Sequence, residues 1–483
     1  MPMSHTKPTI SVVFIGHVDA GKSTLSGRIL LSLNLVDPRL LEKYKEESRS
    51  LNRESWYLSW LTDTSPAERE KGKTLETCST ILELPHNRVN LLDTPGHKLY
   101  LTDMIRGANQ ADVAVLVISA RKGEFEAGFE RSGQTREHVI LAKAGGVRHC
   151  ICVINKMDER GFSARCFKEI VGKLDVFLRR IFKEVVYVPV SGYEGVNVLY
   201  DGEFKGMEGR LDGLGVRMDE VEGGVTTNLT NDSLSTNLTN NLTNGTNNNS
   251  NTDTTNGTNN NTTINNGAYN ITGSNYNEIN EHDPKWYRGD SLLGLLNKIR
   301  IERPQDSTML TILDKTRNTL QVKVESGTIR KNDELFALPG DYKVCIGAVH
   351  DDEDVEIEDA HAGDIVKIRV NTDMLEIGNV LACRVHRCTD TFTCQLNVLE
   401  CKGVLSVGYR AVLHLKMNSV VVKVLGLQVK KGDKVYKAEY VRKGEKVLGK
   451  VRIDRKAYVK EGDCFAIRDE DITVAIGVVR KVL

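Results

Sequence analysis

The stretch Gly16-His17-Val18-Asp19-Ala20-Gly21-Lys22-Ser23 fits the spacing G-x-x-x-x-G-K-[ST]. Glycine lets a backbone wrap closely around a phosphate, so that N–H groups from Gly16 to Thr24 point inward. Lys22 would reach the β- and γ-phosphates, and the Ser23 hydroxyl would ligate Mg2+. A helix opening at Lys22 would add its positive N-terminal end. A second loop, Asp93-Thr94-Pro95-Gly96-His97, follows an apolar run. Asp93 closing a strand is where the second Mg2+ contact belongs, and Gly96 would bring its N–H to a γ-phosphate. Thr74, in Glu70-Lys71-Gly72-Lys73-Thr74, lies between these loops. A threonine there would close on Mg2+ and the γ-phosphate only when the triphosphate is bound.

Asn155-Lys156-Met157-Asp158 ends another apolar run. The Asp158 carboxylate can accept both the ring N–H and the exocyclic amine of guanine. Adenine lacks that donor pair, so the residue selects GTP and GDP over adenine nucleotides. Asn155 can tie this loop to the phosphate loop, and the Lys156 stem can cover the base. Ser191-Gly192, after Val185 to Val190, is suited to touch the guanine carbonyl through a backbone N–H.

These loops need strands to hold them. Thr9 to Ile15, Val89 to Leu92, Val113 to Ser119, Cys150 to Ile154 and Val185 to Val190 are continuous apolar runs, as expected of strands buried on both faces of a parallel sheet. Leu25 to Leu33 and Glu137 to Ala144 read as helices between them. The alternation predicts an α/β P-loop domain whose ligand sits at the loops following the strands. From about Ile301 the pattern changes to short alternating strands separated by turns such as Glu325-Ser326-Gly327, Leu338-Pro339-Gly340 and Lys431-Gly432-Asp433. Phe392, Cys394, Leu396 and Val398 alternate with polar neighbours, as do Ala411, Leu413, Leu415 and Met417. That is half-buried antiparallel patterning, and the length suits two β-barrel domains. The expected boundaries are 1–300 for the nucleotide domain, 301–385 for the first barrel and 386–483 for the second. Tyr287 to Ile299 reads as the last helix of the first domain. It follows an insertion at 226–272, mostly Asn and Thr, which is too polar to bury a core and is expected to be disordered.

The 483 residues carry 65 Lys+Arg and 65 Asp+Glu, a balance that excludes a globally basic coat for nucleic acid. No apolar run reaches the roughly 20 residues of a membrane span, so no membrane partner is expected. MPMSHTKPTI lacks a charged segment followed by an apolar core, which predicts a cytoplasmic protein without a signal peptide. The ten cysteines include no C-x-x-C pair, and Cys150 and Cys152 read as buried strand thiols.

Gly16 to Ser23, Asp93 to His97, Gln134-Thr135-Arg136-Glu137-His138 and Asn155 to Asp158 resemble the translational GTPases of the elongation factor 1-alpha superfamily. Asn52-Arg53-Glu54-Ser55-Trp56-Tyr57-Leu58-Ser59-Trp60 and Ser119-Ala120-Arg121-Lys122-Gly123-Glu124-Phe125-Glu126 resemble its branch of eukaryotic class-II release factors. Phe465 to Glu470 and Val474 to Gly477 fit the superfamily's third domain. The resemblance implies a GTPase acting on the ribosome in translation termination, with a class-I release factor bound mainly through the last barrel. It implies that His97 orients the attacking water and that Val18 belongs to an apolar gate. His97 also directly follows the γ-phosphate glycine, where positioning a water is better suited than proton abstraction. The phosphate loop starts early, so no poly(A)-binding-protein contact through an N-terminal extension is expected. Thr94 stands where this branch usually has Ala, with no functional consequence expected. The alternatives are a ribosome-rescue GTPase partnering a Pelota-type factor, an elongation factor 1-alpha-like carrier of aminoacyl-tRNA, and a non-hydrolysing scaffold.

Overall fold

The computed structural model describes residues 7–62, 74, 77–97, 100–130, 134–200, 286–304, 307–317, 319–351, 354–399, 403–431, 434–470 and 472–483. The Asn/Thr-rich insertion, residues 70–73 and the Gly432-Asp433 part of the third turn lie outside the described residues.

The first domain is built on a sheet of six strands among the described residues: β1 (Thr9–Ile15), β2 (Cys78–Glu83), β3 (Arg88–Asp93), β4 (Val113–Ser119), β5 (His149–Asn155) and β6 (Val185–Pro189), in the order β2-β3-β1-β4-β5-β6. All neighbours are parallel except β2, which runs antiparallel along β3. Every residue of β1 and β4 is buried, which accounts for their unbroken apolar runs. The edge strand β2 buries only Leu82 and leaves Ser79 and Glu83 exposed, so no apolar run marks it in the sequence.

Helix α1 (Lys22–Ser32) starts directly from the phosphate loop, and α2 (Pro38–Ser50) follows with Pro38 at its first turn and the Asp37 carboxylate accepting the Arg39 N–H at 2.9 Å. α3 (Leu101–Gln110), α4 (Gln134–Ala144) and α5 (Ala164–Leu178) complete the crossovers. Leu25 and Ile29 of α1 join Val12, Phe14, Val115 and Val153 in one core. Each such side chain contributes about 1.5–3 kcal/mol by leaving water, which fixes α1 and hence the loop ahead of it.

The last helix of this domain, α6 (Leu292–Lys298), is shorter than the expected span from Tyr287. Ser291 starts it late: its backbone is extended and its Oγ accepts the Gly294 N–H at 2.9 Å, capping the N-terminus. Met417 falls in the turn after strand Arg410–Leu415 rather than continuing its alternation.

Strands Met309–Thr316, Thr319–Ser326, Glu334–Leu338, Lys343–His350, Ile365–Val370 and Val380–Ala382 close into an antiparallel barrel. The second barrel is closed by the pairing of Arg410–Leu415 with Asn418–Lys431, and Lys434–Ala438 extends it at one side. Phe392, Cys394, Leu396 and Val398 point into its core, as their alternation requires.

Charged contacts join the first domain to both barrels. Asp112, ahead of β4, accepts from Arg303 Nη2 at 2.7 Å, from Lys323 Nζ at 3.2 Å and from the Ser11 N–H at 2.9 Å. Burial pushes its carboxyl up, but Lys323 and Arg303 outweigh that and hold it below the usual carboxylate range. Removing one partner of such a buried group typically costs about 3–5 kcal/mol. On the other barrel, Glu137 of α4 accepts the Thr473 hydroxyl at 2.7 Å and lies 3.7 Å from Arg468. Asn109 of α3 donates to the Lys416 carbonyl.

Candidate functional site

The phosphate loop leaves β1 through Gly16, whose φ of 148° and missing Cβ are both required: a Cβ there would lie 2.3 Å from the Val117 carbonyl oxygen. Asp19 (φ 59°) and Gly21 (φ 90°) carry the chain through left-handed conformations, so the loop curls and α1 begins at Lys22. Lys22 is buried and lies across the loop's mouth, donating to the carbonyls of His17 at 3.0 Å and Gly16 at 3.3 Å. Val18, Ser23 and Thr24 are half-buried beside it, and Ala20 is buried.

Gly96 sits directly on this mouth. A Cβ at that position would be 2.4 Å from Lys22 Nζ and 3.1 Å from the Gly16 and His17 carbonyl oxygens. The loop after β3 is thus pressed against the lysine, and its glycine N–H borders the space a terminal phosphate needs. His97 follows, half-buried, with its ring 6.1 Å from that of Tyr100. Ser23 Oγ and Thr74 Oγ1 meet at 2.8 Å across 51 residues of chain. Asp93 is buried at the end of β3, where the Thr62 hydroxyl donates to it at 3.4 Å. Two hydroxyls and a carboxylate, completed by water and phosphate oxygens, suit Mg2+.

The base-reading side is bound together by Asn155. Its amide donates to the Ala20 carbonyl at 2.9 Å, and its Oδ1 accepts the Gly192 N–H at 2.9 Å. One side chain therefore joins the phosphate loop, the end of β5 and the loop after β6. Arg28 of α1 adds Nε to the Gly192 carbonyl at 3.2 Å and a second bond to the Tyr193 carbonyl. Ser191 is fully buried, and its Oγ accepts the Glu194 N–H at 3.1 Å. Asp158 then presents a buried Oδ1 that no hydrogen bond satisfies. A buried, unpaired carboxylate oxygen costs free energy until a donor arrives, and guanine carries the donors this one lacks. Glu194 nearby is pushed above the ordinary carboxylate range by burial and by the charge of Asp158. Lys156 adopts a left-handed backbone (φ 61°) and pairs with Glu124 at 2.8 Å.

Two histidines under the phosphate loop are held neutral. Burial, then Lys22, lowers the pKa of His17. His138 is wholly buried and pushed down to about 3 by burial and by Lys22. Its Nδ1–H donates to the Gly16 carbonyl at 3.1 Å. A neutral imidazole adds no second positive charge beside the lysine.

Sequence reasoning assigned no site role to Thr62, Glu124, Arg28 or His138. His138 and Glu124 lay in segments singled out for resemblance alone. Thr62 and Arg28 carried no local signal, since their partners are 31 and 164 residues away. Thr94 is fully buried and its hydroxyl donates to the Phe14 carbonyl at 2.6 Å, which gives it a structural contact between β1 and the loop after β3.

The chain is similar to known proteins. The Elongation factor Tu GTP binding domain family matches residues 7–244, and the Elongation factor Tu C-terminal domain family matches residues 385–483. The eukaryotic peptide chain release factor GTP-binding subunit of Schizosaccharomyces pombe is 35% identical over 99% of this chain and 64% of its own length. That of Ogataea pini is 32% identical over 99% of this chain and 58% of its own. The chain therefore spans about three fifths of the length of these curated relatives. The solved GTPase-like domain of Ski7 from S. cerevisiae has the same fold, with a TM-score of 0.66 at 16% identity over 98% of this chain and 97% of that one. The chain carries the GTP binding and C-terminal domains of the elongation factor Tu type, and along almost its whole length it is similar to the eukaryotic peptide chain release factor GTP-binding subunits.

Proposed function

We propose that this chain is a GTPase of translation termination, binding and hydrolysing GTP on the ribosome with a stop-codon-reading class-I release factor. In this reading the backbone from Gly16 to Thr24 wraps the phosphates and Lys22 turns from the loop carbonyls to the β- and γ-phosphate oxygens. Asp158 reads guanine, Lys156 covers the base, and Asn155 holds both halves of the pocket in register with Ser191 and Gly192. Ser23, Thr74 and Asp93 hold Mg2+, directly or through water. The ion, when bound, neutralises charge developing between the β- and γ-phosphates. Gly96 donates its N–H to the γ-phosphate. His97 orients the attacking water in line, and Val18 gates its approach until the ribosome draws the site closed.

The observation that carries the GTP reading is the unsatisfied Oδ1 of Asp158 in a loop fixed by Asn155 to both the phosphate loop and Gly192. The termination reading is supported by the relatives, whose printed name is that of the release factor's GTP-binding subunit. The proposed domain limits are 1–300, 301–385 and 386–483, with the last barrel supplying most of the class-I factor contact. Among the described residues no helix is long and apolar enough to cross a membrane, which is compatible with a cytoplasmic site of action.

Titration of the full chain, loaded with a non-hydrolysable GTP analogue, against a class-I release factor and a Pelota-type factor tests the partner. Tighter binding to the class-I factor is expected. Tighter binding to the Pelota-type factor would transfer the assignment to ribosome rescue and leave the GTPase reading intact.

A further inference from the structure

The segment Ser119 to Glu126, singled out in the sequence only for resemblance, forms a charged belt around the base-reading loop. Glu124 sits at its centre. Its carboxylate accepts from Lys156 Nζ at 2.8 Å, from Arg121 Nη1 at 3.3 Å and from the Ser119 hydroxyl. Arg121 reaches onward to Glu159 at 3.0 Å, just past Asp158. The belt thus runs Lys156–Glu124–Arg121–Glu159, and both of its ends lie on the loop that reads the base.

Its root is fixed. Ser119 ends β4 opposite Asn155 of β5, the Ala120 N–H donates to the Asn155 carbonyl at 2.8 Å, and the Arg121 N–H donates to Ser119 Oγ at 3.1 Å. Gly123 turns the chain with φ 88° and delivers Glu124 back toward the site, where it borders a small cavity with His17, Val18 and Ala20. Lys156 needs such a restraint. Its backbone is left-handed, a conformation that a lysine holds only when its surroundings impose it. Its long stem would otherwise sample many rotamers. The two partners differ in exposure from the outer pair: side-chain exposure is 21% for Lys156 and 29% for Glu124, against 57% for Arg121 and 39% for Glu159. Water therefore screens Arg121–Glu159 more strongly, and the inner pair dominates.

We infer that Glu124 is a positioning residue for guanine nucleotide retention: it anchors the Lys156 ammonium so that the stem stays roofed over the base and the loop bearing Asp158 stays closed. This rests on the guanine reading of the pocket. Glu124 touches no nucleotide; it acts through Lys156. Release of GDP then requires the belt to open, so its rate depends on the Glu124–Lys156 pair and on ionic strength.

The test is stopped-flow release of fluorescently labelled GDP from the full chain, for the parent, Glu124→Ala, Glu124→Gln, Lys156→Ala and Glu124→Ala with Lys156→Ala. Glu124→Ala should speed release roughly five- to twentyfold, and Glu124→Gln, which keeps shape and loses charge, by less. On the Lys156→Ala background, Glu124→Ala should add less than about twofold, because the interaction is already gone. Raising salt from about 0.05 to about 0.5 M should speed release from the parent and leave Glu124→Ala nearly unmoved. A loose, merely structural role would instead change release equally on both backgrounds. That result, or release within about twofold of the parent for both Glu124 variants, overturns the inference. If Glu124→Ala does not fold, Glu124→Gln with its salt dependence decides alone. A parent that binds GDP no better than ADP would overturn the guanine reading itself, and this inference with it.

Discussion

The two halves of the nucleotide site are assembled differently. On the base side, Asn155 bonds to Ala20 and Gly192, Arg28 bonds to the loop after β6, and a salt-bridge belt holds Lys156. These partners stand at the ends of β4, β5 and β6, in the phosphate loop and on α1. On the phosphate side, the parts come from separate loops: the one after β1, the one after β3 and the segment at Thr74. Ser23 meets Thr74 hydroxyl to hydroxyl, and Lys22 is bonded to its own loop's carbonyls. The base side is preorganised for recognition, which limits the ordering cost of binding. The phosphate side has two hydroxyls paired with each other and an ammonium on its own loop's carbonyls, and triphosphate and Mg2+ would exchange those bonds for their own. Under the proposed function, a site divided in this way would recognise guanine in either nucleotide state and make hydrolysis depend on closure.

Substitutions can break this division. The largest expected effect is on the phosphate side: His97→Ala should lower ribosome-stimulated GTP hydrolysis by roughly a hundredfold while leaving GTP affinity within a few-fold, the scale for losing a positioning group. Equal stimulated turnover in parent and variant would remove His97 from the mechanism. On the base side, Asp158→Asn should weaken GTP binding by roughly tenfold or more and shift preference toward xanthosine triphosphate, because an amide donates where xanthine offers a carbonyl. Undiminished GTP affinity, measured by calorimetry, would show that another group reads the base. The smallest effect belongs to the contact between β1 and the loop after β3. Thr94→Ala removes the buried bond to the Phe14 carbonyl and should lower stability by about 1–2 kcal/mol in denaturant unfolding, with GTP affinity unchanged. A larger loss of affinity than of stability would place Thr94 in the site itself.

The same contrast decided what the sequence revealed. The phosphate loop, Asp93, Asp158 and Ser191 could be read because each closes a run of buried apolar residues, and both-face burial leaves an unmistakable pattern in β1, β4 and β5. The edge strand β2 left none, since one face is open and its polar residues blend with loop composition. Helix α6 was overextended because Tyr287 packs on the core without being helical, and the Ser291 cap outweighs the apolar spacing before it. Contacts between domains were not legible at all. Asp112 with Arg303 and Lys323, or Glu137 with Thr473 and Arg468, pair residues about 190 to 340 positions apart. No periodicity encodes such pairs, and single charged residues in a balanced chain read as solvated surface.

The central claim is that the phosphate side closes for hydrolysis only in the complex of translation termination. The most direct measurement is GTP turnover by the full chain with ribosomes alone, with ribosomes and a class-I release factor, and with ribosomes and a Pelota-type factor. The account predicts slow turnover with ribosomes alone and strong stimulation by the class-I factor, lowered roughly a hundredfold or more in His97→Ala. Stimulation by the Pelota-type factor alone, or none by any combination while GTP remains bound, would contradict it.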